Sequence, residues 1–510
     1  MGTLYQAARE RIRKLLMEVY PEEHITGDYL EKIYQLIEEN LQEVTCSLTK
    51  WDEADTVLIS YANSIISDRQ PPLQTLHAFL KQHLINEIRS VYILPFFPHS
   101  SDEGFSGIDH YQVDPKLGNW QDIEKIGQDF DLMADLVINH VSTHSQWFQN
   151  SLKGESPDKD YYIEMLKVLF FYINRGIRII RLPQAPRIVK LFRELAELIH
   201  PDCVILTETH VSDGENLSYF GDKGNEAHMI HQLPLPPLIL YTLHTGSSKH
   251  LSQWARKIPE PGNEATFFNF TASHDGIRVR PAEGLIPREE MDQMVEKMQD
   301  FGGHLSTKIN ADGSESPYEI NITWFDALKG THRGSDDLQT ERFLCSQTIM
   351  MSLRGIPGFY IHSLTATEND QEGVEQTGKN RSINRKKWDW QELMEKLNDQ
   401  GDPAHRVFSE TKRLMGIRTS QPAFHPDSPQ EIQDLGESFF ALKRSHETGE
   451  AIRSLSNITN RQQEFDLTRL DNSGDLHDLI SGRDFGADEK TTLEPYQTVW
   501  LKSNQRLAQR

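Results

Sequence analysis

The chain has 510 residues, a length that allows about two to four domains and leaves room for a large buried core. Its formal net charge of −23 argues against a general nucleic-acid or anionic-membrane surface, since such partners bind clustered Lys and Arg. No apolar run approaches the ~20 residues of a membrane span. The charged start MGTLYQAARERIRKLL is also unlike a signal peptide. Neutral or small substrates fit this composition better.

The three cysteines, Cys46, Cys203 and Cys345, are an odd number and lack metal-ligand spacing. We therefore expect reduced thiols in a cytoplasmic protein that neither spans a membrane nor is anchored to one. The sequence leaves the oligomeric state open, a homodimer included.

The first 48 residues carry apolar side chains at helical spacing and predict an N-terminal helical extension, residues 1–48. From residue 49 short β-rich runs that end in polar residues alternate with amphipathic stretches. Eight such runs follow: DTVLISYAN, SVYILPFFPHS, DLMADLVINH, GIRIIRL, CVILTETH, AHMIHQLPL, ATFFNFTASHDG and GIPGFYIHS. Because parallel strands buried on both faces are nearly continuously apolar, we predict an α/β fold, a TIM (β/α)8 barrel over residues 49–420.

Two further units interrupt or follow this alternation. A long insert, residues 285–334, lies between the seventh and eighth strands. After about residue 421 the pattern changes to alternating strands such as ESFFALKR, AIRSLSNIT and YQTVWLK. These runs predict a C-terminal antiparallel β-domain over residues 421–510.

Three of the predicted strands end in carboxylate and imidazole side chains. The third ends in Asp135, Asn139 and His140, the fifth in Glu208 and His210, and the seventh in His274 and Asp275. Active residues of a TIM barrel lie at these strand ends. Facing carboxylates suit glycosyl transfer, in which one acid protonates the leaving oxygen and another attacks or stabilises the sugar carbon. The alternative is a solvated polar rim, which does not explain His beside Asp at positions 274 and 275.

The candidate histidines lack the HxxxH or Cys-rich spacing of zinc sites, so hydroxyl binding is the better interpretation. We predict no metal and no cofactor.

Four of these strand ends carry a family resemblance. DLVINH, IIRL, TETH and SHDG, in this order, resemble the four conserved regions of family 13 glycoside hydrolases, the α-amylase clan. SSDEGFSGIDH, NEAHMIHQLPLPPLIL, SPYEIN and NRSINR are similar to the sucrose phosphorylase branch, closest to its glucosylglycerate phosphorylase-like members. The resemblance runs from about Ser47 to the C-terminus.

The resemblance implies a retaining reaction on an α-glucoside with inorganic phosphate, which releases α-glucose 1-phosphate. Glu208 resembles the general acid/base, and Asp275 resembles the carboxylate that stabilises the transition state. In the family, a covalent glucosyl intermediate forms on an aspartate that follows the RL of the fourth strand.

Further side chains are implied as sugar contacts. Asp102 and Arg385 resemble the pair that holds the far side of the glucosyl ring, and Phe105 resembles its apolar platform. Arg181, His140 and His274 resemble further contacts to the sugar. Tyr318 lies on the insert loop, which in the family approaches the acceptor or phosphate.

The nucleophile's segment is missing from this chain. Leu182 is followed directly by Pro183 and then QAPRIVKLFR, where the family has an aspartate-initiated turn. A second gap lies at KDYYIEMLKVLFFYINRG, where relatives carry several tens of further residues, including an RPR motif associated with phosphate. Arg278, where the family keeps a small residue, narrows the pocket.

Three interpretations remain open. The first is a chain descended from phosphorylases whose activity is impaired because the nucleophile is absent. The deletions are either real or an error in the gene model. The second is a non-catalytic sugar-binding homologue, and the third, which the branch motifs disfavour, is an α-amylase-like hydrolase. The sequence does not fix the acceptor, be it glycerate, glycerol, fructose or another polyol.

Overall fold

A closed barrel of eight parallel strands forms the centre of the computed structural model. The model describes residues 2–19, 27–41, 49–100, 104–137, 161–183, 186–209, 213–222, 224–262, 264–309, 313–470, 474–486 and 488–503. The barrel strands are β1 (Val57–Ser60), β2 (Ser90–Ile93), β3 (Asp131–Asp135), β4 (Ile177–Leu182), β5 (Val204–Thr207), β6 (Met229–His231), β7 (Thr266–Phe270) and β8 (Ile356–Tyr360). Because β1 pairs with both β2 and β8, the barrel closes, and the predicted TIM barrel is confirmed.

Helices cover the outside of this barrel and the regions next to it. In chain order they are α1 (Gly2–Val19), α2 (Gly27–Asn40), α3 (Pro72–His83), α4 (Trp120–Ile126), α5 (Tyr161–Asn174), α6 (Pro186–Ile199), α7 (Asp213–Leu217), α8 (Leu235–Thr245), α9 (Lys249–Ala255), α10 (Arg288–Asp300), α11 (Trp324–Ala327), α12 (Gln339–Ser352), α13 (Ile361–Leu364), α14 (Gln371–Thr377), α15 (Trp390–Asn398) and α16 (Pro403–Arg418). Among the described helices, none is long and apolar enough to cross a membrane.

The barrel strands are apolar because side chains cover both of their faces. Every residue of β7 is buried, and Phe79 of α3 and Phe192 of α6 are fully buried in the helical layer. Polar residues begin where the strands end, since there the chain leaves the packed interior. This change of polarity concentrates ionisable side chains at one end of the barrel.

The insert between β7 and β8 returns to that same end of the barrel. After α10, strands His304–Ile309 and Glu315–Asn321 form an antiparallel hairpin, whose second strand also pairs with the short strand Ile277–Arg278. Gly276 permits this approach, because a Cβ at that position would lie 2.5 Å from the Ile320 carbonyl oxygen. The hairpin thereby brings its own side chains against the residues that follow β7.

The C-terminal region forms a six-stranded antiparallel sheet, as predicted. Its strands are β9 (Gln430–Gln433), β10 (Phe439–Ser445), β11 (Ala451–Asn457), β12 (Leu476–Asp478), β13 (Asp484–Phe485) and β14 (Thr498–Ser503), in the spatial order β9-β10-β11-β14-β12-β13. Strands Gln463–Asp466 and Lys490–Leu493 form a separate pair. One face of the sheet joins the barrel core through Trp500, and the other has its own core around Leu455 and Val499.

The two N-terminal helices pack on the barrel's helical layer. Ile12 and Leu16 of α1 are fully buried, and Arg11 forms an ion pair with Glu194 of α6 at 2.6 Å. At the end of α2, Asn40 accepts a hydrogen bond of 2.7 Å from Asn174 of α5. These helices extend the core outward on the side of the barrel formed by α5 and α6.

Candidate active site

Three buried carboxylates lie at the carboxyl ends of the barrel strands. Asp135 ends β3, Glu208 directly follows β5, and Asp275 lies five residues beyond the end of β7. Their exposed fractions are 1%, 9% and 8%. Arginine side chains link all three, so the predicted carboxylates belong to one cluster.

Arg181 lies between the first two of these carboxylates. It projects from β4 and forms ion pairs with both Asp135 and Glu208. The Tyr92 hydroxyl donates a 2.7 Å hydrogen bond to Asp135 Oδ2. Burial raises the pKa of Asp135, while Arg181 and the Tyr92 hydroxyl oppose that rise. Burial alone would lower the pKa of Arg181, but Asp135 outweighs it and raises that pKa, so Arg181 is a cation.

Asp275 is surrounded by three further arginines. Arg278 Nη2 lies 2.6 Å from it, Arg381 Nη1 2.7 Å and Arg385 Nη2 3.6 Å. Burial would raise the pKa of Asp275, but the surrounding cationic groups outweigh it and hold that pKa well below its usual range. The neighbouring His274 is held neutral, because burial lowers its pKa well below the ordinary value.

An aromatic stack holds His274 in place. The ring of Phe105 lies parallel to the imidazole at a centroid distance of 4.9 Å, and Tyr61 meets it edge-on at 5.8 Å. Arg385 Nε donates to the His274 carbonyl at 2.8 Å. The sequence-predicted Phe105, His274 and Arg385 therefore meet beside Asp275.

The insert hairpin contributes the outer part of the cluster. The Tyr318 hydroxyl accepts a 2.6 Å hydrogen bond from Arg278 Nη1, so this predicted residue reaches the site. Glu319 accepts two hydrogen bonds from Arg381, at 2.9 and 2.8 Å. Neither Glu319 nor Arg381 was predicted from the sequence as a site residue. Arg381 lies four positions before Arg385 within NRSINR, which is the one sequence signal that could have pointed to it.

Together these side chains form a chain of alternating charge. In order along it are Asp135, Arg181, Glu208, Arg278, Asp275, Arg381 and Glu319, with Arg278 Nη2 4.0 Å from Glu208 Oε1. Each buried charge therefore has an opposite charge beside it, which offsets the cost of burying it.

Pro183 directly follows β4, where the sequence predicts that a nucleophile segment is missing. It is half-buried and has no side-chain acid, and residues 184–185 lie outside the described part of the chain. Two glutamates on the following helix bind elsewhere: Glu194 pairs with Arg11, and Glu197 accepts a 2.8 Å hydrogen bond from His228. Neither of them supplies a carboxylate to the site. The predicted contacts Asp102 and His140 also lie outside the described residues.

The cavity beside Glu208 and Asp275 is small. Its volume is about 30 Å³, and Arg278, Phe270 and Trp324 are among the residues that line it. Such a volume holds about one water molecule, whereas pockets for organic ligands enclose roughly 300–1,000 Å³. Within the described ranges, no group of three or more His, Cys, Asp or Glu side chains is placed to hold a metal ion.

Comparison with known proteins identifies the family. Glucosylglycerate phosphorylase of Escherichia coli (strain K12) is 34% identical, and the alignment covers 97% of this chain and 100% of that protein. This chain belongs to the glucosylglycerate phosphorylase family. The enzyme of the same description from Allomeiothermus silvanus is 35% identical over 88% of this chain and 91% of its own length.

Two other comparisons extend the similarity beyond these relatives. The model of the α-amylase catalytic domain matches residues 83–169. The crystal structure of sucrose 6F-phosphate phosphorylase from Thermoanaerobacter thermosaccharolyticum superposes with a TM-score of 0.67, covering 82% of this chain and 96% of that one. At 22% identity the superposition supports the shared barrel fold and nothing finer.

Proposed function

We propose that this chain is a carbohydrate-active member of the α-glucoside phosphorylases whose glucosyl transfer is impaired, because the nucleophilic aspartate is absent. The ligands that its family implies are an α-glucoside and inorganic phosphate. Glu208 occupies the position of the acid/base, and Asp275 occupies the position of the stabilising carboxylate. The observation that carries the proposal is Pro183 at the end of β4, with Arg181 beside it paired to Glu208.

The length of the alignment supports a shortened chain. The comparison with the Escherichia coli relative runs over 565 residues, whereas this chain has 510, so at least 55 aligned positions have no counterpart here. A difference in length of this kind is what the two gaps inferred from the sequence, after Leu182 and within residues 159–176, predict.

The ion pair between Arg181 and Glu208 also argues against catalytic turnover. A general acid must be free to reach the leaving oxygen of its substrate, whereas Glu208 is held in an ion pair with Arg181. A retaining reaction further requires a second carboxylate at the sugar's anomeric carbon, about 5–5.5 Å from the acid. Proline offers no atom that can attack carbon.

A non-catalytic sugar-binding homologue is the second candidate. Phe105, His274 and Arg385 meet as sugar-binding residues would. The cavity of about 30 Å³ speaks against it, because it is far smaller than a glucosyl ring.

Phosphate-dependent release of α-glucose 1-phosphate from glucosylglycerate or sucrose tests the proposal. We expect negligible release of α-glucose 1-phosphate by the unmodified chain. Phosphorolysis at about 1–1000 per second by the sequence-verified protein would overturn the proposal, since those are ordinary enzyme rates.

Pro183→Asp, with Pro183→Asn as its matched control, isolates the nucleophile. The two variants differ by a single ionisable group, so a gain in release with Asp and none with Asn indicates attack by that carboxylate. A gain that is equal in both variants would assign the effect to the backbone rather than to the acid.

A further inference from the structure

The guanidinium of Arg278 lies between the two carboxylates that the proposed function assigns to catalysis. Its Nη2 atom is 2.6 Å from Asp275 and 4.0 Å from Glu208. The side chain is 11% exposed, and it lines the same small cavity as both acids. Arg278 thus occupies the space between them.

The positive charge of Arg278 lies where the sugar would carry positive charge during glycosyl transfer. In glycosyl transfer the anomeric carbon develops positive charge between the acid/base and the stabilising carboxylate. A planar guanidinium is also cationic and delocalised, and it forms charge-assisted hydrogen bonds with carboxylates. Arg278 therefore places beside Asp275 and Glu208 a positive charge that the sugar would otherwise supply.

A second residue holds Arg278 in this position. The Tyr318 hydroxyl accepts a 2.6 Å hydrogen bond from Nη1, and the guanidinium carbon lies 5.7 Å from the centre of the tyrosine ring. Residues 277 and 278 are also paired in the sheet with the hairpin strand that carries Tyr318. The contact is therefore fixed at both the backbone and the side chain.

We propose that Arg278 is an internal occupant of the glycosyl subsite, which excludes glucosyl ligands by competing for Glu208 and Asp275. The inference rests on the proposed function, because that function gives the two acids their roles. It goes further by naming the residue that limits what the site accepts. A ligand binds only when Arg278 has moved away, so its apparent affinity falls by the fraction of molecules in which the subsite is open.

The test is a calorimetric titration at pH 6 with 1-deoxynojirimycin, a glucose-shaped amine that is mostly cationic at that pH, in buffer without phosphate. We expect the unmodified chain to bind weakly and Arg278→Ala to bind at least about tenfold more tightly. Asp275 keeps Arg381 and Arg385 in that variant, so the loss of one arginine does not leave it unpaired. Arg278→Gln is a second variant should the alanine protein not fold.

Two control variants separate competition by the cation from other effects. Arg278→Lys keeps a positive charge at this position and should bind about as weakly as the unmodified chain. Arg280→Ala removes an exposed arginine two positions away and should leave the affinity unchanged.

The proposal is overturned if folded Arg278→Ala and Arg278→Gln gain no affinity, or if the unmodified chain already binds as tightly as they do. Because the titration contains no phosphate, its result is independent of the phosphorolysis assay. A chain that turned over glucosylglycerate would refute the proposed function, whereas a variant without a gain in affinity refutes the role of Arg278.

Discussion

Replacing Arg181 by methionine removes the charge shared by Asp135 and Glu208 while keeping most of the side-chain volume. Glu208 still has Arg278 at 4.0 Å, so the penalty falls mainly on Asp135, which is 1% exposed and keeps the Tyr92 hydroxyl as a donor. Removing one partner of a buried ion pair costs about 3–5 kcal/mol. With an unfolding entropy near 2.1 cal/mol/K per residue, 510 residues give about 1 kcal/mol/K. We therefore expect the melting temperature to fall by about 3–5 °C.

The stability lost in Arg181→Met should increase with pH. Burial already raises the pKa of Asp135, and without Arg181 that pKa rises further. The folded variant then binds a proton at pH values where the unfolded chain does not, so its stability increases as pH falls from 8 towards 5. The deficit relative to the unmodified protein should accordingly be larger at pH 8 than at pH 5.5.

Melting curves at the two pH values, followed by circular dichroism, measure this effect. Arg178→Met is the matched control, because Arg178 lies on the same strand and donates to the Ile173 carbonyl at 2.8 Å. The double variant Asp135→Asn, Arg181→Met should recover more than half of the loss. If Arg181→Met melts within about 1 °C of the unmodified protein at pH 8, or loses equal stability at both pH values, Arg181 does not stabilise Asp135 in this way.

Three further predictions concern stability. Burial raises the pKa of Asp55 to about 6, so this carboxyl favours folding at pH 5 over pH 7.5 by about 1.4 kcal/mol. Asp55→Asn should flatten the fall in melting temperature between those values, and a parallel pH profile would contradict this. Gly276→Ala should lower the melting temperature by about 2 °C or more, because the added Cβ would lie 2.5 Å from the Ile320 carbonyl oxygen. Gly214→Ala, where a Cβ meets nothing within 4 Å, should not lower it, and equal effects of the two alanines would argue against the steric explanation. Arg418→Met should cost about 3 kcal/mol or more in chemical denaturation, because the buried guanidinium donates to four backbone carbonyl groups, and a smaller loss would show that water replaces it.

The barrel could be predicted because its signal is local. Each strand is a short apolar run that ends in polar residues, and the eight runs lie in the order in which the strands pair. Glu208 and Asp275 could be placed at the same end of the barrel, since parallel strands present their carboxyl ends together.

The ion pairs of the site could not be predicted in the same way. Arg381 reaches Asp275 and Glu319 from a short 3₁₀ helix, Asn380–Asn384, beyond β8, and Glu319 lies on a hairpin of the insert. Their meeting depends on how three distant segments pack, and no spacing along the chain encodes it. The sequence identified Arg278 as a bulky residue near the pocket. Its position between two carboxylates follows from the tertiary structure.

The shared core between the barrel and the C-terminal sheet affects how the chain folds during synthesis. Trp500 is fully buried, and its indole N–H donates a 2.9 Å hydrogen bond to Ser352 Oγ, a residue 148 positions earlier. At roughly 5–20 residues per second, a ribosome needs about 7–30 s to add that much chain. During this interval the surface that Trp500 later covers is open to chaperones and proteases. Nascent chains that stop before β14 are therefore expected to be degraded rather than to persist as free barrels.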